Sequence, residues 1–337
     1  MIDKWLLFGA GKTLLSTIIY LKELNQNVSL FCANRHLSSR MDNSTFKEIL
    51  DQHNIEYFVV NDINNCSEID QLMNDENKII GISISAPWIF KKDLIESFKG
   101  NLYNSHGAKL PKDRGGGGLS WRIMNNNKLG YSVIHKIDIG IDTGNIILYN
   151  EYLFPNHCKV PADYEKYALN ENIQLFRLFI DRKISNLQCD NISQPPYLST
   201  YFPRLNSETH GYINWNWSGK DIHSFICAFD NPYCGASSFI NNKKIRLKNS
   251  TFITEDGVFH PFQQGLIYRI NSTSVFIACF DGSIILENIL DDEDNDVLKN
   301  IKLGDRIYTP IEYLDAAMIS RVNYNADGII NKNERKL

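Results

Sequence analysis

The chain has 337 residues, of which 43% are hydrophobic, 12% aromatic and 22% charged, a globular composition that excludes a disordered, collagen-like or coiled-coil protein. Its formal net charge is −4, with 22 Lys and Arg against 23 Asp and Glu over residues 1–208 and 13 against 16 over 209–337. Neither half is a basic arm, so nucleic acid is not the expected partner. Seven scattered cysteines form no CxxC pair, and no apolar run reaches the roughly 18 residues of a membrane span. A cytoplasmic protein without metal or membrane partner is expected.

The opening reads as an apolar strand (5–8), a glycine turn, a periodic helix (13–24) and a second strand (28–32), which together make a βαβ unit. Further strands are predicted at 57–60, 79–85, 102–106 and 131–137, interleaved with helices at 67–73, 92–98 and 119–124. That alternation implies an α/β fold built on a doubly wound, mostly parallel sheet, occupying residues 1–190. A long helix over 161–183 closes it. Residues 191–208, with three prolines among Ser and Thr, read as a linker. Beyond it, a helix at 219–229 and short strands at 236–240, 244–247, 265–270, 275–279 and 283–286 predict a small C-terminal β-barrel over 209–295. Residues 296–337 read as a tail that frays at its end.

Gly9-Ala10-Gly11-Lys12-Thr13 sits between strand and helix, as a nucleotide-binding loop would. A dinucleotide fingerprint needs a glycine where Leu14 stands, and a phosphate loop needs one where Leu6 stands. The segment therefore reads as an ordinary tight turn. Gly9 and Lys12 remain candidates for an anionic substrate at the helix N-terminus.

The informative stretch is 101–147. Asn104 and His106 alternate on one strand and so share a face; at the strand's C-terminal end they would stand at the crevice where open α/β sheets bind ligands. Four glycines, 115–118, follow Arg114 and let backbone approach a bulky ligand. Thirty-six residues after His106 comes Asp142, between Gly140 and Gly144, in a turn able to carry its carboxylate to the imidazole. An amide N–H to stabilise an oxyanion, an imidazole to manage a proton and a carboxylate to orient it suit acyl transfer to an amine without a covalent nucleophile. Taken singly, each has a plainer reading as a strand-end or turn residue; their coincidence favours catalysis.

Asn104-Ser-His106, then Leu110-Pro111 and Arg114-Gly115, then Asp142-Thr-Gly144 resembles the signature of the formyltetrahydrofolate-dependent formyltransferases. The resemblance implies a Rossmann-like formyltransferase fold with an OB-like C-terminal module, and Asn104, His106 and Asp142 as the catalytic trio. It implies N10-formyltetrahydrofolate as co-substrate, with Ser85, Ala86, Pro87 and Trp88 and the loop carrying Ile137, Ile139 and Ile141 lining the pterin pocket. It continues through Tyr212–Trp215, Asp221–Phe229, Asn231–Ala236 and Lys244–Leu247, covering roughly residues 78–290. Gly118 stands where that family commonly has proline, and the polyglycine run is closer in character to the amino-sugar formyltransferases than to the tRNA enzyme. The expected acceptor is therefore a dTDP- or UDP-linked amino sugar of surface polysaccharide (O-antigen) biosynthesis, with Lys109 and Arg114 joining Gly9 and Lys12 as candidate substrate contacts. The alternatives are methionyl-tRNA formylation and a catalytically dead relative. A homodimer is left open.

Overall fold

The computed structural model describes residues 2–73, 77–116 and 118–330. Gly117 of the polyglycine run and the last seven residues, where fraying is expected, lie outside the described residues.

The N-terminal half carries a seven-stranded sheet: β1 (Lys4–Gly9), β2 (Val28–Cys32), β3 (Tyr57–Val59), β4 (Ile79–Ile84), β5 (Leu102–His106), β6 (Leu129–Lys136) and β7 (Ile146–Leu153). Spatial order is β7-β6-β5-β4-β1-β2-β3. The five strands from β3 to β5 pair parallel, and β6 and β7 add antiparallel. Strands β1 and β4 are buried along almost their whole length, as expected for parallel strands covered on both faces. One face packs under α1 (Lys12–Glu23) and α5 (Pro161–Ile184), burying Trp5, Leu14, Ile18, Phe176 and Phe179. The other packs Phe8, Phe31, Phe90 and Phe98 beneath α2 (Ser67–Leu72) and α3 (Lys92–Ser97). Strand β7 is absent from the sequence reading: its first three residues are all buried and only the rest alternates, so its periodicity is diluted.

The C-terminal half is an antiparallel sheet of β8 (Ala236–Ile240), β9 (Lys243–Ile253), β10 (Ile267–Ile270), β11 (Val275–Cys279), β12 (Gly282–Leu290) and β13 (Ile307–Tyr308), in the order β10-β11-β12-β9-β8-β13. A bridge between Leu266 and Arg306, with the Ile307 N–H donating to the Gly265 carbonyl at 2.9 Å, brings its two edges together. The curled sheet wraps α6 (Gly219–Ala228), whose Ile222, Phe225 and Ile226 fill its interior. Strand β13 lies beyond residue 295, where the sequence reading ends the module. It is followed by the helix Ile311–Ile319 and a hairpin of Asn323–Asn325 with Gly328–Ile330, so part of the expected tail is ordered structure.

The 191–208 segment also does more than connect. Tyr201–Phe202 pairs parallel with Arg114–Gly115, and the Trp121 indole N–H donates to the Pro203 carbonyl at 2.9 Å. Helix α4 (Gly118–Met124) packs against α6, tying the two halves together.

Candidate active site

Strand β5 ends the parallel part of the sheet, and its alternation delivers Asn104 and His106 to one face as the sequence reading expects. Asp142 comes from the loop between β6 and β7. That loop folds back so tightly that a Cβ on Gly144 would fall 2.0 Å from the Lys136 carbonyl oxygen. Ser85, Asp113 and Asp142 all hold left-handed φ values, of 55°, 53° and 55°. Non-glycine residues in that region concentrate where a structure over-determines them.

The trio converges on the Asp142 carboxylate. Its Oδ2 accepts from the Gly115 backbone N–H at 2.9 Å and stands 3.7 Å from His106 Nδ1. Its Oδ1 lies 3.5 Å from both His135 Nε2 and Asn104 Nδ2. Burial raises the Asp142 carboxyl, but the His135 contact, the His106 charge and the Gly115 N–H outweigh it and hold the group at about 2. The carboxylate is thus fully ionised at neutral pH. Burial lowers His106 more than the neighbouring Asp142 and the Asp113 carbonyl raise it. A neutral imidazole beside a fixed anion can take up a proton, and the carboxylate then stabilises the cation. The Asp113 carbonyl oxygen sits 2.9 Å from His106 Nε2, so that nitrogen carries the hydrogen. Nδ1, facing Asp142, is the basic nitrogen in this arrangement.

His135 is a fourth member that sequence reasoning missed. It is 2% exposed and paired in register with Asn104. Its Nδ1 donates to the Lys136 carbonyl at 2.7 Å, which leaves Nε2 3.2 Å from Asn104 Nδ2. Asn104 therefore directs its amide N–H groups toward His135 and Asp142. Stabilising an oxyanion, the role expected from sequence, requires the amide to turn one N–H outward. No local signal marks His135, because register across a sheet is a long-range property.

The predicted donor-side residues gather in part. Ala86, Trp88 and Ile137 pack on one apolar cluster, and the Trp88 indole N–H donates to the Asn61 carbonyl at 2.9 Å. Pro87 is half-buried between Ala86 and Trp88. Ile139 and Ile141 project from their loop, 81% and 49% exposed, leaving apolar surface beside the trio for a flat ring to cover.

The predicted acceptor contacts fare differently. Arg114 is 8% exposed and its Nε and Nη2 donate to Gln194 Oε1 at 3.3 and 3.1 Å. Gln194 in turn donates to the Gly144 carbonyl at 2.6 Å. Arg114 is therefore a strut that ties the Asp142 turn to the 191–208 segment. Gly9 is closely packed against the neighbouring strand: a Cβ there would meet the Ile84 carbonyl oxygen at 2.0 Å. Lys12 is paired with Asp42 at 2.6 Å, and Lys109 lies over the Tyr131 ring, 5.1 Å from its centroid. Among the described residues no group of three or more His, Cys, Asp or Glu is arranged to hold a metal ion, and no helix is long and apolar enough to cross a membrane.

Residues 206–297 match the family model described as "Formyl transferase, C-terminal domain". Those residues carry a formyl transferase C-terminal domain. The chain is 28% identical over 186 residues to methionyl-tRNA formyltransferase of Acetivibrio thermocellus, covering 55% of this chain and 58% of that one. It is 29% identical over 217 residues to a bifunctional polymyxin resistance protein of Wigglesworthia glossinidia brevipalpis, covering 62% of this chain and 32% of that one. The chain thus spans less than two thirds of the length of these relatives. In fold it is similar to WlaRD, a sugar 3N-formyl transferase whose structure contains dTDP and 5-N-formyl-THF, with TM-score 0.64, 23% identity and coverage of 85% and 97%. It is equally similar to an N-formyltransferase of Helicobacter canadensis in complex with folinic acid and dTDP-3-aminofucose, with TM-score 0.63, 24% identity and coverage of 85% and 99%.

Proposed function

We propose that this chain transfers a formyl group from N10-formyltetrahydrofolate to the amine of a nucleotide-linked amino sugar. The observation that carries formyl transfer is the convergence of Asn104, His106 and His135 on a fixed Asp142 carboxylate at the end of β5. The amine attacks the formyl carbon, and an N–H of Asn104 turned outward would meet the resulting oxyanion. His106 takes the ammonium proton and Asp142 balances the imidazolium; as the oxyanion re-forms the carbonyl and the bond from carbon to the folate nitrogen breaks, the imidazolium returns that proton to the departing nitrogen, releasing tetrahydrofolate and neutral His106. The apolar surface of Ala86, Trp88, Ile137, Ile139 and Ile141 is suited to the pterin.

Two observations support a sugar rather than a tRNA acceptor. Most of the chain is similar in fold to the sugar N-formyltransferases named above, and the C-terminal half carries 13 Lys and Arg against 16 Asp and Glu, a poor surface for a polyanion. The tRNA reading keeps one observation in its favour, the methionyl-tRNA formyltransferases among the sequence relatives. Surface polysaccharide synthesis is the process such an acceptor would serve.

The test is a direct assay with N10-formyltetrahydrofolate, a panel of dTDP- and UDP-linked amino sugars, and initiator methionyl-tRNA, each across a salt series. Binding tRNA through phosphates releases counterions and falls by orders of magnitude with moderate salt; a diphosphate sugar drifts only modestly. Turnover on a nucleotide sugar with a shallow salt slope is expected. Efficient formylation of the tRNA with a steep slope would overturn the acceptor.

A further inference from the structure

Helix α4 carries Arg122, which is 5% exposed, yet its Nε and Nη1 have no hydrogen-bond partner. No carboxylate stands within ion-pair distance of it among the described residues. Its nearest aromatic partner, Phe154, is 5.9 Å away at the ring centroid. An unpaired guanidinium withdrawn from water is strongly unfavourable, which is why buried charges are ordinarily paired. Helix α4 needs no charge at this position for its own packing: Ile123 on the same helix packs in the apolar core.

Arg122 lines a shallow, solvent-open cleft together with Gly116, Gly118, Trp121, Asn125 and Asn127. The glycines leave backbone exposed to whatever enters, and the two asparagines add amide donors. The cleft adjoins the trio, since Asp113 and Gly115 form part of its wall while contacting His106 and Asp142 on their other side. One acidic residue, Asp113, faces the cleft, against Arg114 and Arg122. Arg114 already donates to Gln194, so Arg122 is the cation with free donors.

We propose that Arg122 anchors a phosphate oxygen of the acceptor's diphosphate in this cleft. The inference rests on the nucleotide-sugar reading above and gives it a residue and a place. Guanidinium recognises phosphate through parallel N–H donors that an ammonium cannot match. The folate carboxylates are the other anions of the reaction, but the surface suited to the pterin lies on the Ala86, Trp88 and Ile137 cluster, which shares no residue with this cleft.

The test is titration calorimetry on the full chain with dTDP, UDP and 5-formyltetrahydrofolate as probes, using wild type, Arg122→Gln and Arg122→Met. Loss of a charge-assisted hydrogen bond predicts dTDP or UDP binding weakened about tenfold to a hundredfold in both variants, with 5-formyltetrahydrofolate binding unchanged. Arg122→Met, which fills the space without the charge, is expected to unfold at a higher temperature than wild type. Unchanged nucleotide affinity in either folded variant would overturn the subsite while leaving the acceptor reading intact. So would a lowered Tm in Arg122→Met, which would make the guanidinium a support of the fold. A wild-type chain that binds neither nucleoside diphosphate yet formylates methionyl-tRNA would overturn the acceptor reading itself.

Discussion

Asp142→Asn removes the charge at the centre of the cluster while keeping its shape. The carboxyl is held at about 2 in the folded chain against an ordinary 3.8, and at 1.36 kcal/mol per unit that difference amounts to about 2 kcal/mol of folding free energy. Because the folded value is the lower one, this stability is fully present above pH 3.8 and is lost as pH falls toward 2. Asn cannot titrate, so the variant should lack this component of acid destabilisation. Urea unfolding at pH 6 and pH 3 measures it: wild type should lose more stability than Asp142→Asn, the gap closing by about 1 kcal/mol or more. Catalysis should fall by about 10² to 10⁴ in kcat, as for other positioned acid–base machinery, because the imidazolium of His106 would no longer face an anion 3.7 Å away. The Gly115 N–H, now 2.9 Å from the carboxylate, can still donate to the Asn oxygen, so the fold should survive. Parallel loss of stability in both proteins, or wild-type kcat in the variant, would refute the view that His135, His106 and Gly115 cage this carboxylate for catalysis.

His106→Ala should lower kcat about 10² to 10⁴-fold with circular dichroism unchanged; the wild-type rate should be insensitive to imidazole protonation above pH 6.5, because His106 titrates below its ordinary value. Asn104→Ala should reduce kcat about 10² to 10³-fold with little change in the acceptor KM, and a pure KM effect would reassign it to binding. Gln194→Ala strands the buried Arg114 guanidinium, whose Nη2 now donates to Gln194 Oε1 at 3.1 Å, and should destabilise the chain by about 1.5 to 3 kcal/mol in thermal or urea unfolding.

The parts of this fold that were legible in the sequence are those whose signal is local. Strands β2 and β5 fall at the residues their apolar patterning indicates, and the spacing of Asn104, His106 and Asp142 was sufficient to propose their convergence. What was hidden depends on pairing between distant segments. His135 acts through its register opposite Asn104, and nothing in Ile134-His135-Lys136 announces that partner. Gln194 and Tyr201–Phe202 sit in Pro- and Ser-rich sequence, which encodes a coil locally and takes its bonds from Arg114 and Gly115. The helix Ile311–Ile319 exposes Ile311, Met318 and Ile319, so no apolar stripe marked it. In the sequence Arg114 reads only as a candidate substrate contact; its bond to the buried Gln194, 80 residues away, has no local signal.

The pairing of Tyr201–Phe202 with Arg114–Gly115 bears on how this chain can be divided. A boundary drawn at residue 190 by composition would leave the loop that holds Asp142 without its Gln194 brace and without the strand that fixes Gly115. The Gly115 amide is itself a donor to the carboxylate. The connecting segment is therefore inherited with the reacting centre, and exchange of C-terminal modules between relatives should be cut after Arg204, beyond the last residues that grip the polyglycine loop. In recombination terms the chain is two folding layers but one and a half units, with the seam displaced into the second.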